Sequence, residues 1–330
     1  MRPFAYERPT DAAGAVAALG QPGTMYLGGG TNLVDLMKLG VETPERVVDV
    51  SRLEFDRIEE RRDGGLRIGA AVRNSDVAAH RAVRERYPLL ALSLLSGASG
   101  QLRNIATTGG NLLQRTRCAY FQDVSKPCNK RRPGSGCPAR EGDHRNLAIL
   151  GHSAACVATH PSDMAVALAA IGADVHVTGR DGERTIPIPG LHRLPGDDPC
   201  HDTVLEHGEL VTAVELEPLA PGLAAHSTYR KVRDRASFSF AVVSVAAALD
   251  VDAGTVRDCR IALGGVAHGP WRAWRAEETL RGGPATAERF AAAADAELAQ
   301  AQPLRDNAFK VPLARNLIVS TLTGLAEEVA

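Results

Sequence analysis

No apolar run in this chain of 330 residues approaches the ~18 residues that a membrane span needs. The start, Met1-Arg-Pro-Phe-Ala-Tyr-Glu-Arg-Pro9, lacks the apolar core of a secretory signal. By its own sequence the chain is expected to be cytoplasmic, and a periplasmic location would need export with a partner. An excess of one charge is also missing. Thirty-eight Lys+Arg stand against 39 Asp+Glu, which leaves no global electrostatic footprint for nucleic acid or an anionic membrane. Cysteine is scarce: six residues are too few for a disulfide scaffold. Internal repeats and low-complexity tracts are absent. What remains is the composition of an ordinary folded protein, 44% hydrophobic and 23% charged, long enough for two or three domains.

The first segment alternates small helices and strands. Asp11 can cap an Ala-rich helix ending at Gly20, and Met25-Tyr-Leu27 reads as a strand entering Gly28-Gly-Gly-Thr-Asn32. Leu33, Val34, Leu36, Met37 and Leu39 then follow a helical period to Gly40, and Arg46 to Val50 reads as a buried strand. Strand, glycine loop, helix and strand form a βαβ-like unit. Leu66 to Ile68 is expected as a strand, Asn74 or Ser75 as the cap of a helix through Ala79, and Leu89 to Leu95 as a buried helix. A second glycine loop, Thr107 to Asn111, precedes a polar, irregular stretch from Arg115 to about Gly151. Strands are expected at Ala154 to Thr159 and Asp174 to Thr178, on either side of an apolar helix from Asp163 to Ile171. The strand near Leu210 to Leu216 leads to a boundary near Pro218 to Gly222. Strands at Tyr229 to Val232, Val242 to Val251 and Cys259 to Leu263 and helices at Ala285 to Ala301 and Arg315 to Glu327 complete an α+β pattern.

The glycine loops are where chemistry is first legible. Backbone N–H groups must approach a pyrophosphate closely, which favours residues without a Cβ, and a helix N-terminus adds a favourable dipole. Neither loop has the G-x-G-x-x-G spacing of a Rossmann site, so each alone reads equally as a flexible turn. Two of them, flanked by hydroxyl and amide side chains, suit a dinucleotide with two phosphates, a ribityl chain and two rings. Asp163 also reads as a helix N-cap, and Lys231, between Arg230 and Arg233, as part of a solvated strand face.

Leu27-Gly-Gly-Gly-Thr-Asn-Leu33, Arg103-Asn-Ile-Ala-Thr-Thr-Gly-Gly-Asn-Leu112, His160-Pro-Ser-Asp-Met164 and Tyr229-Arg-Lys-Val-Arg233 occur in that order. With Ala262-Leu-Gly-Gly-Val-Ala267 and the following Pro270, Arg272 and Glu277, the chain resembles the FAD-binding medium subunit of the molybdenum hydroxylases. That family includes xanthine dehydrogenases, carbon monoxide dehydrogenases and aldehyde oxidoreductases. The resemblance implies an α+β fold with FAD-binding subdomains at 1–56 and 57–219 and a C-terminal domain of antiparallel sheet plus helices at 220–330. It implies that Leu27, Gly28, Gly29, Gly30, Thr31, Asn32 and Leu33, with Gly109, Gly110 and Asn111, cradle the pyrophosphate, and that Thr107 adds a hydrogen bond. Ser162 and Asp163 would contact the ribityl or isoalloxazine part, and Lys231 would sit near the ring.

Four cysteines, Cys118, Cys128, Cys137 and Cys156, fall within one stretch but contain no C-x-x-C pair, so spacing alone argues weakly for metal. Arg115 to Arg145 holds eight basic and three acidic residues, a net of +5, which favours thiolates and would suit an anionic cluster. From the residues, free thiols, a structural Zn site and an Fe–S cluster all remain open. The resemblance implies a [4Fe–4S] cluster in the insertion at about 115–156, as in bacterial aldehyde oxidoreductases and 4-hydroxybenzoyl-CoA reductases. Cys200 is expected to be an exposed thiol and Cys259 a structural one.

The plant-type C-x4-C-x2-C spacing and any molybdopterin site are missing, so the chain is not expected to hydroxylate a substrate alone. The resemblance instead implies an oxidoreductase subunit partnered by a molybdopterin-binding large subunit and a [2Fe–2S] small subunit. Electrons would pass from partner Fe–S centres through FAD to an external acceptor. No catalytic acid–base pair stands out. Aldehyde is the favoured substrate, with xanthine, carbon monoxide and hydroxybenzoyl-CoA types as alternatives. A stand-alone flavin oxidase and a noncatalytic zinc-stabilised interaction subunit are the readings from other classes.

Overall fold

The computed structural model describes residues 1–328. The first unit is a three-stranded parallel sheet in the order β1-β3-β2, with β1 at Ala5–Glu7, β2 at Thr24–Leu27 and β3 at Arg46–Asp49. The helix Ala12–Leu19 begins where the Asp11 carboxylate accepts the Gly14 N–H at 2.7 Å. The helix Leu33–Leu39 ends on Gly40, whose φ of 75° is the left-handed conformation that closes a helix C-terminus. Since β2 and β3 pair in parallel through that helix, the expected βαβ unit is present.

The second unit is a five-stranded antiparallel sheet ordered β4-β5-β8-β6-β7. Its strands are β4 (Ile58–Glu60), β5 (Leu66–Gly69), β6 (Asp174–Gly179), β7 (Gly182–Pro187) and β8 (Leu210–Leu216). All nine residues of the helix Asp163–Ile171 are buried. Its sequence, Asp-Met-Ala-Val-Ala-Leu-Ala-Ala-Ile, combines good helix formers with an apolar surface all round, which is stable only with neighbours on every side. Ser162 caps this helix, its hydroxyl accepting the Ala165 N–H at 2.9 Å; Asp163 is the first helical residue, not the cap.

The third unit is a four-stranded antiparallel sheet ordered β12-β11-β10-β9, formed by β9 (Ser227–Val232), β10 (Val243–Asp252), β11 (Thr255–Gly264) and β12 (Trp271–Arg272). Ala253 and Gly254, both at positive φ, make the two-residue turn between β10 and β11. Helices Trp274–Leu280, Ala287–Leu298 and Lys310–Glu327 cover this sheet. Ala246, Ala248 and Ala262 share one core with the helix Asp163–Ile171, so the second and third units pack continuously. Arg272 secures the seam: its guanidinium donates to Ala169 O and Ala170 O at 2.6 and 2.7 Å and pairs with the buried Glu277.

Three expectations need correction. Ala154 to Thr159 is not a strand; it runs as coil, buried at Cys156 to Ala158, with Ala148 N–H bonded to Val157 O. Thr108–Leu112 is a short helical turn capped by Thr107, not an open loop. The helix Asn74–Ala79 starts without a side-chain cap. The stretch after Arg115 is irregular as expected, with one turn at Ala119–Gln122 and a 3-10 turn at Pro138–Arg140. Among the described residues no helix is long and apolar enough to cross a membrane.

Candidate functional site

The two glycine segments lie against each other. A Cβ built on Gly29 would stand 2.0 Å from Ile105 O, and one on Gly28 would stand 2.7 Å from the Thr107 hydroxyl. Gly29 therefore admits the second segment's backbone, and Gly28 the Thr107 side chain. Gly30 is left-handed at φ 73°, which turns the chain into the helix Leu33–Leu39, and Leu27 packs beneath it. Thr107 is buried and its hydroxyl accepts the Gly110 N–H at 3.2 Å, so it shapes the turn from inside. Gly109 packs on Ala70, whereas Gly110 is exposed and a Cβ there would meet only the Thr107 hydroxyl, at 2.9 Å. Of the five glycines expected to cradle the pyrophosphate, Gly110 is the exposed one.

Two clefts meet over these segments. One, of about 330 Å3, runs from Tyr26, Val50 and Ser51 past Gly28 to Leu33 and reaches His207 and Gly208. The other, of about 350 Å3, is lined by Asn74, Ser93, Asn111, Arg117, Asp163 and Phe240. Thr31, Asn32 and Gly110 line both. The two clefts joined at these residues form a trough that suits a ligand with two bulky ends connected by a polar linker. Asn32 carries the polar test. Its Oδ1 accepts the Arg115 N–H at 2.9 Å, while its buried Nδ2 has no partner in the protein. Asn74 Oδ1 in the second cleft is likewise buried and unpartnered. Orphaned buried groups cost about 1–3 kcal/mol each, so both sites favour a polar ligand.

Behind the second cleft stands a buried ion pair. Asp163 Oδ2 lies 2.7 Å from Lys231 Nζ, and its Oδ1 accepts the Tyr229 hydroxyl at 2.5 Å. Lys231 also donates to Ser96 O at 3.2 Å, so it is neither a solvated strand residue nor part of the cleft lining; it reaches the cleft only through Asp163. Burial raises the Asp163 carboxyl above its ordinary value against the pull of the Lys231 ammonium. Ser162 also turns inward: besides capping its helix it donates to Asn111 Oδ1 at 2.5 Å. The wall residues Asn74, Arg117 and Phe240 were missed as site residues. Asn74 reads as a cap and Arg117 as one of many basic residues, and the Arg117 guanidinium, 4.9 Å over the Phe240 ring, depends on a contact across more than a hundred residues.

Cys118, Cys128, Cys137 and Cys156 all line one small void, with Phe121, Val157 and Ala158 around it. Sequence spacing could not show this convergence, because the loop between them has no period. Burial raises the thiols of Cys118 and Cys137, and pushes Cys156 up to about 11 although Lys130 opposes the shift. Backbone N–H groups of Tyr120 and Phe121 reach Cys118, and those of Val157 and Ala158 reach Cys137 and Cys156. Among the described residues no three His, Cys, Asp or Glu side chains are arranged to hold a single metal ion. The loop's basic excess is partly answered from outside: Arg115 pairs with Glu42 and Asp202, Lys130 with Asp202, and Arg145 with Asp234. Cys200 is half-buried, its thiol 3.4 Å from Asn129 O, so it is not the exposed thiol expected; Cys259 is fully buried in the C-terminal core.

Residues 2–218 match the FAD binding domain in molybdopterin dehydrogenase, and residues 227–325 match the CO dehydrogenase flavoprotein C-terminal domain. The aldehyde oxidoreductase FAD-binding subunit PaoB of Escherichia coli is 50% identical over 324 residues, covering 98% of each chain. The carbon monoxide dehydrogenase medium chain of Hydrogenophaga pseudoflava is 29% identical over 92% of this chain and 88% of its own. A solved carbon monoxide dehydrogenase from the same organism, lacking the Mo-pyranopterin moiety, superposes with a TM-score of 0.77 at 26% identity over 99% of both chains.

Proposed function

The chain belongs to the FAD-binding subunits of the molybdenum hydroxylases, and from that premise we propose that it is the electron-transfer flavoprotein of a heteromeric aldehyde oxidoreductase. The observation that carries the FAD reading is the trough joined at Thr31, Asn32 and Gly110, with the unpartnered Asn32 amide where the two clefts meet. Gly110 and Asn32 would hold the pyrophosphate, Thr31 would lie beside it, and Gly28, Gly29, Gly109 and Thr107 would bring the two segments together. Asn111 and Asp163 would line the flavin end, with Ser162 and Lys231 fixing them from behind. When bound, FAD supplies the redox chemistry, taking electrons from a partner's iron–sulfur centres and releasing them to an external acceptor. The protein orients the dinucleotide, and the Asp163–Lys231 pair gives the second cleft a rigid polar wall. The choice of aldehyde rests on the relative with 50% identity. Large and small partners are part of the reading, because nothing in this chain offers a molybdenum site.

The four cysteines extend the proposal to a [4Fe–4S] cluster. Their convergence on one void and the backbone N–H groups directed at their sulfurs support it. A single Zn would require all four sulfurs within about 2.3 Å of one point. The division into units 1–56, 57–219 and 220–330 is part of the same reading, supported by one sheet in each.

Reconstitution tests the function. The FAD-loaded chain alone should show no aldehyde-dependent flavin bleaching, and adding the molybdenum and [2Fe–2S] partners should produce it. Rapid bleaching without partners would promote the stand-alone oxidase. Iron and acid-labile sulfide in anaerobically prepared protein test the cluster, and stoichiometric Zn in their place would overturn it.

A further inference from the structure

Between the four-cysteine void and the glycine-loop trough runs a chain of ion pairs that ends on the buried Lys130. Lys130 lines the void, its side chain 1% exposed, and its ammonium donates to Pro199 O at 2.9 Å and pairs with Asp202. The other oxygen of Asp202 accepts from Arg115 Nε at 2.8 Å. Arg115 lines the first cleft, pairs with Glu42 at 2.5 Å, and through its backbone N–H holds Asn32 Oδ1. The amide whose free Nδ2 faces the trough is thus tied, through one carboxylate, to the ammonium beside the cysteines. The covalent chain runs the same way, since Cys118 follows Arg115 by three residues.

We propose that Asp202 is a positioning residue that couples the two cofactor sites, so that filling the four-cysteine site tightens FAD binding and FAD binding in turn stabilises the four-cysteine site. The inference rests on the proposed cofactors. A buried ammonium without a counter-charge is strongly unfavourable, so Lys130 and Asp202 move together. Burial would raise the Asp202 carboxyl, yet Lys130 and Arg115 hold it well below the usual carboxylate range, so it is charged at neutral pH. When an anionic group fills the void, Lys130 is fixed against it, Asp202 is fixed against Lys130, and the Arg115 segment presents Asn32 in one orientation. When the void is empty, that segment gains freedom and the amide must be ordered by FAD itself. Linkage makes the effect reciprocal.

The test titrates FAD against full-length protein, iron-loaded and iron-depleted by anaerobic chelation, following flavin fluorescence. Wild type should bind FAD about fivefold or more tightly when iron-loaded, the lower range of ordinary coupling. Asp202→Asn should bring that ratio towards one. Arg115→Gln should do the same while leaving the Lys130–Asp202 pair intact, and it carries the test if Asp202→Asn does not fold. A purely structural role would weaken FAD equally in both iron states and leave the ratio unchanged. A ratio of one in wild type, or a wild-type ratio retained in Arg115→Gln, overturns the coupling. Wild type that holds no iron after anaerobic reconstitution overturns the cluster reading instead, and iron analysis distinguishes the two failures.

Discussion

The trough and the cysteine void solve the same problem, holding a cofactor in a fixed place, with opposite materials. The trough is made of backbone. Its two segments are set by β2, by helix ends and by glycines whose missing Cβ atoms let one chain lie on another. The void is made of side chains. Around it lie two short helical turns and coil, and the loop is held by Arg115, Lys130 and Arg131 reaching carboxylates and carbonyls elsewhere. Backbone scaffolds are robust to changes in charge and fragile to added volume; side-chain scaffolds are the reverse.

The largest effect should come from breaking the buried ion pair behind the second cleft. Asp163→Asn leaves Lys231 buried without its counter-charge, and removing one partner of such a pair costs about 3–5 kcal/mol. Denaturant unfolding should show that loss, and flavin content should fall with it. A loss under about 1 kcal/mol would mean that solvent reaches Lys231.

Acid should next find the region beside the void. Burial, aided by the nearby Lys130, lowers His268 from 6.5 to about 4, and burial also lowers His160 and His192. A histidine held neutral when folded binds its proton more readily when unfolded. Its contribution is complete above pH 6.5 and is lost as pH falls towards 4, at a cost on the order of 3 kcal/mol for His268. Stability measured across that window should decline, and His268→Gln should flatten the decline.

Within the trough, volume should matter by position. Gly29→Ala forces a Cβ onto Ile105 O and should cost about 1–3 kcal/mol together with FAD affinity. Gly110→Ala, whose Cβ meets one side-chain hydroxyl and no backbone, should cost less stability than Gly29→Ala while still weakening FAD. Equal stability losses in the two variants would contradict the assignment of Gly110 to the open face.

The smallest effects separate the cysteines. Serine at Cys118, Cys128, Cys137 or Cys156 should lower iron content, whereas Cys200→Ser and Cys259→Ser should leave it unchanged. Iron retained by all four of the first set would sink the cluster.

The backbone region is also the one most legible in the sequence. Asp11, Gly40, the helix from Asp163 to Ile171 and the strands at Leu210 to Leu216 and Tyr229 to Val232 were readable because caps, periods and apolar runs are local signals. The glycines themselves were legible as glycines but not in their orientation, since Gly29 and Gly110 differ only in what lies opposite them. Lys231 read as solvated because its partner is 68 residues away. Asp202 carried no signal at all; its importance comes from Lys130 and Arg115 meeting it from a loop without periodicity. Ala154 to Thr159 looked like a strand because it is apolar, yet it sits against single residues such as Ala148 and not along a sheet edge.

The nine-residue helix Asp163–Ile171 sets a timetable for biosynthesis. Every one of its side chains is buried, and part of its cover, Ala246, Ala248 and Ala262, is encoded about 75 to 100 residues later. At ribosomal rates of 5–20 residues per second, the nascent chain carries an uncovered apolar helix for on the order of 10 s. The two segments matched by separate family models are therefore not independent folding units. A nascent chain stalled before β10 would present a sticky surface to chaperones, and the seam closed by Arg272 would form only after the sheet of the last third had been made.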